Sequence, residues 1–343
     1  MSLTDTLLAS WTRRGLLAWL LLPLALLFGL LSASRRILYR LGVLKARRLP
    51  RPVVVVGNLT VGGNGKTPLT LWLAQKLARS GLKPGIVSRG YGGRASASGG
   101  VREVRPEDDP SEVGDEPLLM ARRAECPVWV GRDRSAAGMA LLAAHPECDI
   151  ILCDDGLQHY RLARDMEIVV MDSRAVGNGW LLPAGPLREP VARLARADAL
   201  VLHGVGEPQG LPSHPPRFAM RLLGSRFQSL ANPALSCVAA DFSGKRVHAL
   251  AGIGHPQRFF DHLAALGVAA VCHPFPDHHH YSRDDLEFPE CEALLMTEKD
   301  GVKCAALAPV EAWVLRVDAE VEPDLAQLLA AKVMEKVDGR PPA

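Results

Sequence analysis

A lysine and a threonine close a glycine-rich octet, Thr60-Val61-Gly62-Gly63-Asn64-Gly65-Lys66-Thr67. Binding polyphosphate requires backbone N–H groups that converge on oxygen atoms. Gly62, Gly63 and Gly65 permit the tight turns that such convergence needs. A lysine at the loop's end reaches the outer phosphates, and a hydroxyl directly after it holds Mg²⁺. The general pattern GxxxxGK[ST] begins with glycine, whereas Thr60 occupies that place here. The octet is expected to cradle phosphates, with Lys66 as the cation and Thr67 as a metal ligand.

Other segments carry chemically capable residues. Ile150-Ile-Leu-Cys-Asp154-Asp155 is an apolar run ending in two carboxylates, the form of a metal-binding strand in a phosphate-loop protein. Gly114-Asp115-Glu116-Pro117 places two carboxylates where a helix should begin; helix capping alone would account for them. Ser88–Gly93 is a basic, flexible loop containing Arg89 and Tyr91, and Leu182–Pro190 is a proline-stiffened loop containing Arg188. Phe275-Pro-Asp277-His278-His279-His280-Tyr281 clusters three histidines. A zinc site is one reading, but adjacent histidines cannot all face one ion, so a catalytic or orienting histidine is the better expectation. Met296-Thr-Glu-Lys-Asp300 fits either the lining of a nucleotide base or a solvated turn.

These residues need a scaffold that brings loop ends together. From residue 51 to 203, strand-like runs (Val53–Val56, Gly85–Ser88, Pro127–Val130, Asp149–Cys153, Glu167–Met171, Ala199–Leu202) alternate with helix-like runs (Thr67–Ser80, Glu116–Ala124, Ser135–Ala144, Val191–Ala195). Such alternation predicts a parallel sheet covered on both faces, with ligands at the carboxyl ends of its strands. A Pro/Gly-rich stretch, 204–216, marks a boundary. Arg217–Leu223 and Leu235–Ala239 are expected to pair as a two-stranded linker. A second alternating block follows (Val247–Ala251, Pro256–Leu266, Ala269–Cys272, Ala293–Met296, Trp313–Val317) and ends in a helix over Asp324–Val337. The division expected is 1–50 anchor and basic flank, 51–215 phosphate-loop domain, 216–240 linker and 241–343 smaller α/β domain.

The totals narrow the function further. The 343 residues carry a net charge of only +3, which gives no case for a nucleic-acid partner. Seven dispersed cysteines indicate reduced thiols and a cytosolic setting. Gly15–Ser34 is uncharged over twenty residues, long enough to cross a bilayer or to lie along one. A cleaved signal sequence and a buried core helix are the competing readings of that run. Seven basic residues and no acidic one lie between Arg35 and Arg51, which places the body of the chain on the cytoplasmic side.

The ordered set VVVVGNLTVGGNGKTP, SRGYGG, GDEP, VGRDR, DDGLQH, LPAGPLREP, AGIGHP, FPDHH and TEKD, behind an apolar N-terminus, resembles the tetraacyldisaccharide 4'-kinase family. Thr60 is similar to that family's own form of the loop. The resemblance implies a P-loop NTPase-like α/β/α domain, a smaller α/β/α domain, a two-stranded β linker and an N-terminal membrane helix. It implies transfer of the ATP γ-phosphate, with Mg²⁺, to the 4'-hydroxyl of an acylated disaccharide 1-phosphate lipid at the inner membrane, giving lipid IVA. The family's catalytic dyad falls on Asp115 and His278, and its loop residues on Lys66 and Thr67. Its metal carboxylates fall on Asp154 and Asp155. Arg89, Tyr91, Glu116, Gln158, His159 and Arg188 match positions near nucleotide, metal or substrate. His255 stands where Asn is expected and receives no role. A membrane-tethered ATPase of switch or metallochaperone type is the alternative.

Overall fold

The computed structural model describes residues 3–63, 65–204, 208, 211–307 and 311–338, so Asn64 of the phosphate loop lies outside the described residues. Among the described residues thirteen strands form one sheet: β1 Val53–Gly57, β2 Pro84–Ser88, β3 Val101–Val104, β4 Val128–Gly131, β5 Ile150–Asp154, β6 Met166–Met171, β7 Ala199–His203, β8 Arg217–Ser229, β9 Ser236–Val238, β10 Val247–Ala251, β11 Ala270–Pro274, β12 Ala293–Thr297 and β13 Ala312–Val321. Their spatial order is β11-β10-β12-β13-β8-β7-β6-β1-β5-β2-β4-β3, with β9 beside β8. β7, β6, β1, β5, β2 and β4 run parallel, as do β13, β12, β10 and β11.

Burial on both faces explains the unbroken valines of β1. Val54 and Val56 pack with Leu69, Leu73 and Leu77 of the helix Lys66–Arg79, while Val53 and Val55 pack with Leu141 of the helix Arg134–Ala144. A strand sandwiched in this way is apolar at every position rather than at alternate ones. The second block repeats the arrangement, with Ala249 and Leu295 on one face and Leu250 and Met296 on the other.

The connection between the blocks differs from the sequence expectation. β8 pairs antiparallel with β13 along nearly its whole length, from Met220 opposite Val321 to Ser229 opposite Trp313. Residues 235–239 contribute only the short β9, which meets β8 at Arg226–Gln228 and not at Arg217–Leu223. The two long strands of the connection are therefore some ninety residues apart in sequence. Their pairing returns the chain to the first block, where Leu325, Leu329 and Val333 of the final helix Asp324–Asp338 join the core around β1. That helix follows the second block in sequence but packs on the first.

The N-terminal helix Leu16–Arg40 includes Pro23 and keeps an apolar stretch of mean hydropathy 2.4, of which only 11% is buried. It is not the core helix that one reading allowed. Ala18 and Ala25 face the body, and Gly29 lies against Leu181. Trp19 packs edge-on against Trp180 with centroids 4.8 Å apart. Just before the helix, the indole of Trp11 donates to the Pro183 carbonyl at 2.9 Å. Leu20, Leu24, Leu27 and Leu31 stay exposed.

Candidate active site

The phosphate loop follows β1 and turns through Gly62 (φ +104°) and Gly65 (φ +87°), both in backbone conformations that L side chains rarely adopt. Gly65 caps the helix that starts at Lys66, so the positive end of that helix faces the loop. Thr60 is buried and bridges to Leu187, and the Val61 N–H donates to the Pro186 carbonyl at 3.0 Å. The loop thus leans on the proline-stiffened segment that carries Arg188.

Lys66 and the end of β5 form one charge cluster. Lys66 Nζ donates to Asn58 Oδ1 at 3.2 Å and lies 3.4 Å from Asp155 Oδ1. Arg188 Nη1 lies 3.3 Å from the same oxygen and 3.4 Å from Gln158 Oε1, while Gln158 Nε2 donates to the Asn58 carbonyl at 3.1 Å. Burial would raise the pKa of Asp155, but Lys66, Arg188 and Arg134 outweigh it and hold it at about 2. Asp154 behaves oppositely. Its burial, reinforced by the charges of Glu116 and Asp155, pushes the carboxyl up to about 7. Oδ1 of Asp154 accepts from the Thr70 hydroxyl at 3.1 Å, and Oδ2 is buried with no hydrogen-bond partner among the described residues. A buried carboxylate oxygen without a partner is costly. That cost fits a site built around a cation, and it points to Asp154, not the already paired Asp155, as the open carboxylate. Thr67 sits half-buried in the first turn of the helix.

A second cluster joins residues far apart in sequence. His278 Nδ1 lies 3.0 Å from Asp115 Oδ2. Asp115 starts the helix Asp115–Arg123 and is buried, and its Oδ1 accepts the Glu116 N–H at 2.9 Å. Burial opposes the charge on Asp115, yet the His278 hydrogen bond and Lys299 together hold its pKa below the ordinary value. His278 has φ +60°, an uncommon conformation for a residue with a side chain and one that often marks a functional constraint. The hydrogen bond to Asp115 raises the His278 pKa against the opposing effect of burial. Tyr91 lies beside it with ring centroids 5.0 Å apart, and Arg89 lies over Tyr91. His279 turns away to Asp285 at 3.2 Å and His280 is exposed, so the three histidines diverge.

Two further findings concern residues that pattern alone did not place. Lys299, in the TEKD segment, reaches Asp115, Glu116, Asp277 and His278. Arg174 Nη2 donates to the Gly63 carbonyl at 3.3 Å and its Nη1 to His255 Nε2 at 2.8 Å, which ties the phosphate loop to the second block. Asp172 accepts from both Arg174 and Arg258 beneath this link. The only sequence signal was position: Asp172 and Arg174 follow the end of β6 at the sheet's ligand edge. His159, by contrast, lies 3.6 Å from Asp133 and makes no described contact with Lys66 or Asp155; burial and Arg134 lower its pKa to about 4.

The two clusters face each other closely enough for Glu116 to raise the pKa of Asp154. A Cβ placed on Gly254 would lie 3.4 Å from Asp277 Oδ2 and 3.9 Å from the Gly63 nitrogen, so the second block comes right up to the phosphate loop. The glycine loop with its helix N-terminus and the buried Asp–His pair thus lie at the same approach of the two blocks. The family profile described as Tetraacyldisaccharide-1-P 4'-kinase matches residues 17–334. The chain belongs to the tetraacyldisaccharide 4'-kinase family. A tetraacyldisaccharide 4'-kinase of Azoarcus sp. (strain BH72) is 55% identical over 340 residues, which cover 97% of this chain and 96% of that protein. The protein of the same name from Dechloromonas aromatica (strain RCB) is 54% identical over 329 residues, covering 96% and 95%. A crystal structure described as an "apo" form LpxK from Aquifex aeolicus in complex with ATP superposes with a TM-score of 0.79 at 31% identity. It covers 93% of this chain and 100% of that one. This family member is an ATP-dependent kinase with the α/β architecture of its relatives.

Proposed function

We propose that this kinase transfers the γ-phosphate of ATP to the 4'-hydroxyl of a tetraacyldisaccharide 1-phosphate, and that Asp115 is the base. The observation that carries the assignment is the 3.0 Å contact between Asp115 and His278, two residues from different blocks, with the neighbouring Glu116 close enough to Asp154 to raise its pKa. Asp115 takes the proton as the hydroxyl oxygen attacks the γ-phosphorus, the bond from that phosphorus to the bridging oxygen breaks and ADP leaves, and His278 holds the carboxylate in place. Phosphoryl transfer demands mainly positioning and neutralisation of charge. Lys66 and Arg188 supply cationic groups on the donor side. Thr67, Asp154 and Asp155, with Glu116 beside them, are the residues that would hold Mg²⁺, which when bound neutralises charge on the phosphate oxygens. Arg89 and Tyr91, beside His278, line the acceptor side, and Gln158 joins Arg188 and Asn58 on the donor side. The blocks 51–215 and 241–343, joined through β8 and β13, act as the two jaws of the cleft.

The deciding experiment is transfer of labelled γ-phosphate from ATP to a tetraacyldisaccharide 1-phosphate, with and without Mg²⁺. Transfer that needs the lipid supports the kinase; ATP hydrolysis indifferent to the lipid would support the tethered-ATPase reading instead.

The helix Leu16–Arg40 is proposed to lie in the membrane interface and not to cross the bilayer. It packs along the body from Trp19 against Trp180 down to Arg36, 3.9 Å from Glu189. A perpendicular span would carry that body surface, Glu189 included, into hydrocarbon. Its outward leucines suit the acyl boundary, as interfacial helices require. Near its end a cavity of about 280 Å³ is lined by Arg36, Tyr39, Arg40, Tyr160, Glu167, Arg193 and Arg196; Glu167 holds Arg193, and Arg40 and Arg196 are the cations that would meet anionic lipid. On this reading the enzyme sits on the cytoplasmic face of the inner membrane. Labelling from opposite sides of sealed vesicles tests it: a cysteine at Thr6 and one at Lys45 should both react from the cytoplasmic side, and reaction from opposite sides would establish a span.

A further inference from the structure

The segment Thr297-Glu-Lys-Asp300 closes β12 and starts the helix Glu298–Cys304, and each of its side chains has a separate task. Thr297 caps the helix by accepting from the Asp300 N–H at 3.1 Å. Asp300 is buried and accepts from the Gly252 N–H and the Tyr281 hydroxyl, which fixes the segment within the second block. The remaining two reach across to the first block. Glu298 holds Arg123 Nη1 at 2.7 and 2.8 Å, at the last residue of the helix Asp115–Arg123. Lys299 meets the first turn of that same helix, with Nζ 3.2 Å from Glu116 Oε1 and 3.8 Å from Asp115 Oδ2. Two consecutive side chains therefore grip both ends of the element that carries the proposed base.

Lys299 does more than bind the helix. Nζ also lies 3.1 Å from Asp277 Oδ1 and 3.4 Å from His278 Nε2. An ammonium has three donors and no acceptor. Its contact with Nε2 is a hydrogen bond only when that nitrogen carries the lone pair. The His278 proton then resides on Nδ1, which donates to Asp115 Oδ2. The ring orientation seen here, with Nδ1 toward Asp115, is the one a cation at Nε2 selects. Tyr91 covers the ring face, so the imidazole is bounded on three sides. Exposed ammonium–carboxylate pairs contribute little, but this ammonium is mostly buried and collects carboxylates from both blocks.

We propose that Lys299 is a positioning residue for phosphoryl transfer, setting the ring orientation of His278 and, through that ring, the placement of Asp115 when the two blocks close. This rests on the Asp115–His278 reading above. It assigns Lys299 no contact with the transferred phosphate and predicts that its effect passes through His278.

The test is a double-mutant cycle in the full-length enzyme, measuring labelled phosphate transfer from ATP to tetraacyldisaccharide 1-phosphate. Lys299→Met should lower kcat on the order of 10²-fold, the scale of a catalytic group misplaced by about 1 Å. The KM for ATP should stay within about threefold, because the Lys66 cluster is untouched. In the His278→Ala background the same substitution should cost less than about threefold more, since residues acting as one unit are non-additive. A merely structural lysine would give additive losses and a matching fall in thermal stability, and either additivity or an unchanged kcat in Lys299→Met would overturn the proposal. Lys299→Gln carries the same comparison if the methionine variant does not fold. Should His278→Ala alone keep full kcat, the dyad reading itself falls; should it lose kcat while the cycle is additive, the dyad stands and only the role of Lys299 is lost.

Discussion

The phosphate-loop cluster and the Asp115–His278 cluster solve the same problem, holding charge in a buried place, by different means. In the first, Lys66 and Asp155 meet because β1 and β5 are neighbours in a parallel sheet whose strands end at one edge. Its strand–loop–helix motif, residues 53–79, is one stretch of chain, and its geometry follows from local glycines and a helix start. In the second, Asp115, His278 and Lys299 come from three segments, separated by 163 residues between the first pair and 183 between Glu116 and Lys299. Nothing local fixes their spacing; it depends on the approach of one block to the other. The lesson is that nucleotide binding should tolerate loosening of the two blocks, whereas acceptor activation should not.

Substitutions can break or sharpen that contrast. The largest effect is expected for Lys66→Ala, a loss in kcat/KM on the order of 10³-fold or more, because one preorganised charge on the transferring group is removed. Phosphate-transfer kinetics combined with nucleotide titration measure it; weakened ATP binding should accompany the loss. Asp115→Asn should lower kcat by about 10²- to 10⁴-fold, the span of general-base effects, with ATP affinity unchanged. If ATP affinity collapsed with it, the two clusters would not be separable and the contrast would fail.

A subtler case is Asp154→Asn. It removes a buried charge whose Oδ2 has no partner, so the metal-free protein should gain roughly 1–3 kcal/mol, or a few degrees in Tm. The wild type should be stabilised by added Mg²⁺ and ATP, and the variant should not, while losing transfer activity. Differential scanning calorimetry with and without Mg²⁺ reads both signs; a lower metal-free Tm would show that Asp154 is not the open carboxylate. The smallest expected effect is for Arg174→Met, which cuts the tie from Gly63 to His255. The KM for ATP should rise by roughly three- to tenfold with kcat nearly kept, as for a loss of uniform binding. A fall in kcat with KM unchanged would move Arg174 from loop support to closure.

Much of this was legible in one dimension. Four valines before a glycine loop predict a strand buried on both faces, because no other environment favours apolar side chains at every position. Gly62 and Gly65 predict left-handed turns, and GKT predicts a helix end facing phosphate. An apolar run ending in Asp154-Asp155 predicts carboxylates at the ligand edge. Local chain geometry fixes such features, so they survive without knowledge of distant partners. The family resemblance singles out His278 of the triplet 278–280 as the partner of Asp115, and the backbone at φ +60° is what turns that ring to the carboxylate. Within the linker, the expected pairing of residues 217–223 with 235–239 fails for a related reason. Strand propensity in Arg217–Leu223 was visible, but β8 had two candidate partners, and the register with β13 is chosen by sheet continuity across ninety residues.

Sequence by itself determined the phosphate cradle, the apolar N-terminal helix and the alternating α/β order, since each is set by side-chain type and spacing within a few turns of chain. Tertiary structure alone decided that Asp154 keeps an open oxygen among the described residues while Asp155 is paired, that Lys299 meets Asp115 and His278, and that the N-terminal helix lies along the body. Those outcomes turn on burial and on charges drawn from distant segments. Dielectric surroundings and long-range approach exist only once the sheet is assembled.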